Sequence, residues 1–157
     1  MRYVEAPAEY YGDEMSVFLA GGITDCENWQ QAIVAELSGT CLTVINPRRR
    51  LYPSGDPSTE EEQVAWEFRH LRHATAVLFW FLPPTLNPIA LYELGMLAGT
   101  RRPLFVGVDV NYPRGRDIQL QLKFARPDVR IQSSLSRLGD SVREWSGERA
   151  AGESART

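Results

Sequence analysis

The sequence predicts an α/β fold with a doubly wound parallel sheet of five strands, and three observations carry that expectation. Short apolar runs alternate with segments of helical period from residue 15 to residue 145 of a 157-residue chain. One run, Ala74 to Leu82, is almost wholly apolar, as a central strand covered on both faces must be. The stretches of unusual composition, Gly21-Gly22, Asn46 to Arg50 and Pro83 to Asn87, all leave the carboxyl ends of strands, where such sheets bind ligands.

The elements follow in order. Residues 1–14 mix Tyr, Pro, Glu and Gly without a period and read as an extended N-terminal arm. Met15 to Ala20 is the first strand, stopped by the glycine pair. Thr24 and Glu27 have capping-box spacing, so a helix is expected from there, with Trp29, Ile33 and Leu37 on one stripe and Gly39 closing it. Leu42 to Ile45 is the second strand, and Leu51 to Pro57 is a loop by its Pro, Ser, Gly and Asp content. Ser58 and Glu61 form a second capping box for a helix to His73; Val64, Phe68 and Leu71 are expected to pack, with Gln63, Glu67 and His70 on a polar stripe free for a ligand.

After the third strand, Asn87 is a good N-cap and Pro88 a good first residue for an apolar helix to Ala98, ended by Gly99. Pro103 to Val108 is the fourth strand. A helix from Asp117 to Ala125 is expected to bury Ile118, Leu120, Leu122 and Phe124, and Val129 to Ile131 is the fifth strand. Leu135 to Trp145 is the last helix, and residues 146–157 have the composition of a disordered tail. The domain is therefore expected over residues 15–145.

A net charge of -3 argues against polymeric nucleic acid as a partner. Cys26 and Cys41 lack CxxC or histidine partners, so no metal site and no disulfide is expected, and no cofactor motif such as GxGxxG or GxxxxGK[ST] occurs. The longest apolar run is too short to span a bilayer and no signal-peptide pattern opens the chain, which points to a cytoplasmic protein. The apolar helix after Asn87 would be an unusual free surface, so a homodimer or higher homo-oligomer is expected.

What remains is carboxylate chemistry. Glu93 is the only acid between Arg72 and Arg101, in apolar company where an unpaired charge costs several kcal/mol or more. Helical side chains lean toward the N-terminus, so Glu93 reaches toward the mouth formed at Asn87. There it can attack or stabilise an electrophilic sugar carbon, with Glu67 as the second acid to hold or protonate a leaving base. The bland alternative for Glu93 is a structural ion pair to the arginine run; for Glu67 it is a solvated helix face; for Trp29, Trp66, Phe79 and Trp80 it is core packing.

FLAGGI with Thr24-Asp25 and Trp29, then NPRR at Asn46 to Arg49, QVAWE at Gln63 to Glu67, LFWF, and NPIALYELG at Asn87 to Gly95 together resemble the nucleoside 2-deoxyribosyltransferase-like family, over Val17 to Val108. The resemblance implies a flavodoxin-like sheet and cleavage or transfer of the N-glycosidic bond of a small-molecule nucleoside or nucleoside 5'-monophosphate. It matches Glu93 to the family's nucleophile and Glu67 to the place of an aspartate that handles the base. Asn87 stands where transferases have a sugar-contacting aspartate, and Phe18 where many members have a tyrosine that holds the nucleophile. Gly21, Gly22, Asp25, Asn46, Arg48 (for a phosphate) and Trp66 (for stacking on the base) complete the expected substrate site. A catalytically weak or inactive nucleotide-binding module is the alternative, motivated by Phe18 and Asn87.

Overall fold

Residues of opposite parity in the first long strand point to opposite faces of a sheet, and both sets are apolar: Phe18 and Ala20 on one side, Val17 and Leu19 on the other. A strand of that kind is stable only between two layers of helices, and the computed structural model, which describes residues 1–50 and 57–154, has this layering. Six strands, β1 (Arg2–Glu5), β2 (Ser16–Gly21), β3 (Thr43–Asn46), β4 (Ala76–Phe81), β5 (Leu104–Val108) and β6 (Ile131–Gln132), pair in parallel in the order β1-β3-β2-β4-β5-β6. The sheet is flavodoxin-like, with six strands rather than the expected five. The extra one is β1, in the segment read as an aperiodic arm; it is legible only through its partner, since Arg2 to Glu5 pair residue by residue with Thr43 to Asn46 at the sheet edge.

Helices α1 (Trp29–Glu36) and α5 (Leu135–Ser154) cover one face, where Ile33, Leu37, Leu138 and Val142 meet Val17, Leu19, Leu78 and Trp80. The other face belongs to α2 (Pro57–His73), α3 (Pro88–Ala98) and α4 (Gly115–Ala125), whose Trp66, Leu71, Leu94, Leu97, Ile118 and Leu122 pack on Phe18, Val77, Phe79 and Val106. Trp29, Phe79 and Trp80 are core residues on these two faces. Every residue of β4 is buried, as a central strand requires.

Several local expectations fail for identifiable reasons. The first helix begins at Trp29 because Asn28, not Thr24, caps it, its side chain accepting the Gln31 N–H at 3.2 Å. The second begins at Pro57, so Ser58 lies inside its first turn; the rest of the loop expected over Leu51 to Pro57 falls outside the described residues. Its faces differ in part from those expected: Leu71 is buried and Glu67 lines a cleft, as expected, but Val64 and Phe68 are 64% and 55% exposed, while Gln63 and His70 are buried along with Trp66. Polar residues occupy the inner face because the N-terminal segment supplies their partners. Tyr10 N–H donates to His70 Nε2 at 3.1 Å, Trp66 Nε1 donates to Ala8 O at 3.0 Å, and His70 Nδ1 is left to donate to Trp66 O at 2.8 Å.

At the other end of α2, Arg102 donates to the carbonyls of Leu71 and Arg72, which the helix cannot satisfy itself. In α4, Ile118 and Leu122 are buried, but Leu120 and Phe124 point outward, Phe124 being 80% exposed. The helix expected to stop at Trp145 continues to Ser154, into the region read as a disordered tail; residues 155–157 lie outside the described residues. Among the described residues, no helix is long and apolar enough to cross a membrane.

Candidate active site

From β2 the chain proceeds to β3 on one side, and β4 then forms on the other, so the strand order reverses between β2 and β4. The carboxyl ends of these two strands therefore part and leave a crevice. Gly21 ends β2 at φ +151°, against the Trp80 carbonyl and the Trp29 ring, and Gly22 lies where a Cβ would sit 2.5 Å from Asn87 Oδ1. Both positions require glycine for space, and Gly21 for conformation as well. The Gly22 carbonyl accepts from Trp29 Nε1 at 2.8 Å and Gln30 Nε2 at 3.2 Å, which fixes the turn against the start of α1.

Across the crevice, Asn87 adopts φ 48° and ψ 55° ahead of Pro88. Its side chain does not cap α3, as expected from sequence, but ties the β4–α3 loop together. Oδ1 accepts the Thr85 hydroxyl at 2.6 Å, and Nδ2 donates to Thr85 O at 3.3 Å and Leu82 O at 3.4 Å. Asparagine is suited to both tasks, tolerating the left-handed region and offering a donor and an acceptor.

Between these loops lies a cleft of about 390 Å³, lined by Phe18, Gly21, Gly22, Asp25, Asn87 and the carboxylates of Glu67 from α2 and Glu93 from α3. Pro47, Thr85 and Ile89 complete much of its wall, and no Lys, Arg or His lines it among the described residues. Burial pushes the Glu93 carboxyl up to about 7, with the Glu67 charge adding to the effect; among the described residues no hydrogen bond eases it. Glu67 is also raised by burial, but its Oε1 accepts Gln63 Nε2 at 2.7 Å, and this bond and the nearby Arg49 guanidinium favour its charged form. Both carboxyls are pushed toward the neutral form by burial, and because only Glu67 has partners that favour its charge, a proton on the pair goes first to Glu93.

Three expected site residues do other work. Trp66 is 1% exposed, stacks on His70 with ring centroids 4.0 Å apart, and leaves no face toward the cleft for a base. Arg48 closes the β2–α1 loop instead of meeting a phosphate, its guanidinium donating to Glu27 O and Gln30 Oε1 through Nη1 at 3.0 and 3.2 Å and to Cys26 O through Nη2 at 3.2 Å. Buried Asn46 accepts Arg48 N–H at 3.0 Å and donates to the Tyr3 hydroxyl at 2.9 Å. Arg48 and Asn46 thus hold the wall behind Pro47.

Thr85 was missed by sequence reasoning, although it lies in a loop already marked by composition; a hydroxyl two residues before an asparagine was the available signal. Gln63, expected on the ligand-facing stripe, is instead buried beside Glu67, whose Oε1 accepts from its Nε2. Among the described residues, no group of three His, Cys, Asp or Glu is placed to hold a metal ion.

Residues 14–112 match the family model described as "Nucleoside 2-deoxyribosyltransferase like", a span of more than half the chain. No curated protein matches the chain at a significant level.

Proposed function

We propose, for a chain that belongs to the nucleoside 2-deoxyribosyltransferase-like family, cleavage or transfer of the N-glycosidic bond of a (deoxy)nucleoside or its 5'-monophosphate, with Glu93 as nucleophile. The observation that carries this reading is the meeting of Glu93 and Glu67, from two different helices, in one cleft at the reversal point of the sheet. In the first step a Glu93 oxygen forms a bond to the anomeric carbon as the bond to the base nitrogen breaks. The electron pair leaves with the base, which takes a proton from Glu67. In the second step water or another base, giving its proton to Glu67, attacks the same carbon and releases Glu93.

The partners are small molecules, and a homo-oligomer fits the exposure of Ile89 and Tyr92 along α3. The test is to incubate the protein with nucleosides and 5'-monophosphates, with and without added free base, and separate the products. Base release that Glu93→Ala abolishes supports the reading; full release by that variant from every active substrate overturns it.

A second reading, a nucleotide-binding module with little or no turnover, is favoured by Phe18. Its ring lines the cleft without a hydroxyl, and the productive state needs Glu93 ionised while Glu67 is protonated, the reverse of the resting preference. Ligand-dependent thermal shifts with no free base after long incubation would support that module.

A further inference from the structure

The amide of Gln63 is buried one helical turn before Glu67 and forms both of its hydrogen bonds through the same atom. Nε2 donates to Pro47 O at 2.9 Å and to Glu67 Oε1 at 2.7 Å, while Oε1 is buried with no donor. An unconstrained amide would not leave its carbonyl unpaired. Turning it over would set that oxygen against the Pro47 carbonyl, which can never donate, and against Glu67. The Pro47 carbonyl is backbone, in a wall held by Asn46 and Arg48, so it does not yield.

We propose that Gln63 is a positioning residue for Glu67: locked by the Pro47 carbonyl, its amide makes Glu67 Oε1 a permanent acceptor and leaves Oε2 as the oxygen through which Glu67 gives and takes its proton. This rests on Glu67 being the group that serves the leaving base. The groups that act on Glu67 are Gln63 on its own helix and Arg49 from the segment after β3; Glu93 from α3, whose carboxyl the Glu67 charge raises, and Asp25 from the loop after β2 line the same cleft. Arg49 is itself held by Glu62 at 3.3 Å, so Gln63 is the neutral donor that sets direction rather than charge alone. A bond from an amide to a carboxylate also favours the ionised form, so Gln63 governs which carboxylate of the pair takes the first proton.

Gln63 does not line the cleft, so its loss should act on turnover and not on substrate affinity. The test is a ¹³C NMR titration of protein labelled at glutamate carboxyls, with Glu67 assigned through Glu67→Gln, in wild type and Gln63→Met. The Glu67 carboxyl is expected to titrate at higher pH in Gln63→Met, and kcat for base release to fall roughly tenfold to a hundredfold, the range for one bond to a charged group, with KM little changed. An unmoved Glu67 titration in the folded variant overturns the proposal, as does a raised KM with unchanged kcat. If Gln63→Met does not fold, Gln63→Asn, too short to reach both acceptors, carries the same two readouts. The titration needs no turnover: absence of base release from every substrate counts against the catalytic reading, and an unmoved titration against Gln63.

Discussion

Replacing Glu93 by glutamine should stabilise the protein, and by an amount that depends on pH. The Glu93 carboxyl is raised from an ordinary value of 4.5 to about 7 by burial and by the Glu67 charge. The folded state therefore binds this proton more tightly than the unfolded chain. The resulting stability is fully present below pH 4.5 and is lost as the pH rises to 7 and above. At ~1.4 kcal/mol per pH unit, ionising Glu93 in the folded protein costs about 3 kcal/mol at pH 8. Glu93→Gln keeps the shape without that cost. Urea unfolding of both proteins should give nearly equal stabilities at pH 4.5, and at pH 8 an advantage for the variant of about 2–3 kcal/mol, a midpoint shift of roughly 1 M. A difference that is the same at both pH values, or a variant less stable at pH 8, would refute the placement of an uncompensated carboxyl in this cleft.

Other consequences are open to direct measurement. Glu67→Gln removes the neighbouring charge, so Glu93 should titrate below its wild-type value of about 7 by carboxyl NMR, while base release falls about 10²–10⁴-fold for want of a proton donor; an unmoved Glu93 would show that the two groups are not coupled. Phe18→Tyr restores the hydroxyl expected by resemblance: if it bonds Glu93, the acid limb of the pH–rate profile moves down and base release rises about tenfold, whereas an unchanged limb places the hydroxyl elsewhere. His70 is held neutral, its value lowered chiefly by burial and accepting the Tyr10 N–H at Nε2. Its contribution to stability is present above the ordinary histidine value near 6.5 and is lost as the pH falls through the lower folded value. His70→Phe should flatten this acid loss in thermal melts, and a variant with the same acid slope as wild type would count against it.

The layering of the fold was legible because β2 and β4 are apolar on both faces, a pattern that few architectures satisfy. β1 was not, since four residues carry no period and are strand only by pairing with β3. The faces of α2 were misread for a similar reason. Gln63 and His70 look like solvent-facing or ligand-facing groups until the carbonyl of Pro47 and the N–H of Tyr10 arrive from distant parts of the chain. Of the residues that line the cleft, Glu93 stood out in sequence by its isolation, the glycine pair by its place after a strand, and Glu67 by its helix stripe. Arg48 was not, because a cation in a loop has the same appearance in sequence whether it meets a phosphate or the backbone carbonyls of Cys26 and Glu27.

The central claim is that Glu93 attacks the sugar, and the most direct measurement is to catch it doing so. The reaction with whichever nucleoside or nucleotide releases most base should be acid-quenched during turnover, digested and mapped by mass. The expected result is a pentosyl adduct on the peptide carrying Glu93, absent from Glu93→Gln, which releases base at least 10³-fold more slowly. Base release by Glu93→Gln at the wild-type rate, or an adduct on any other residue, would contradict the account.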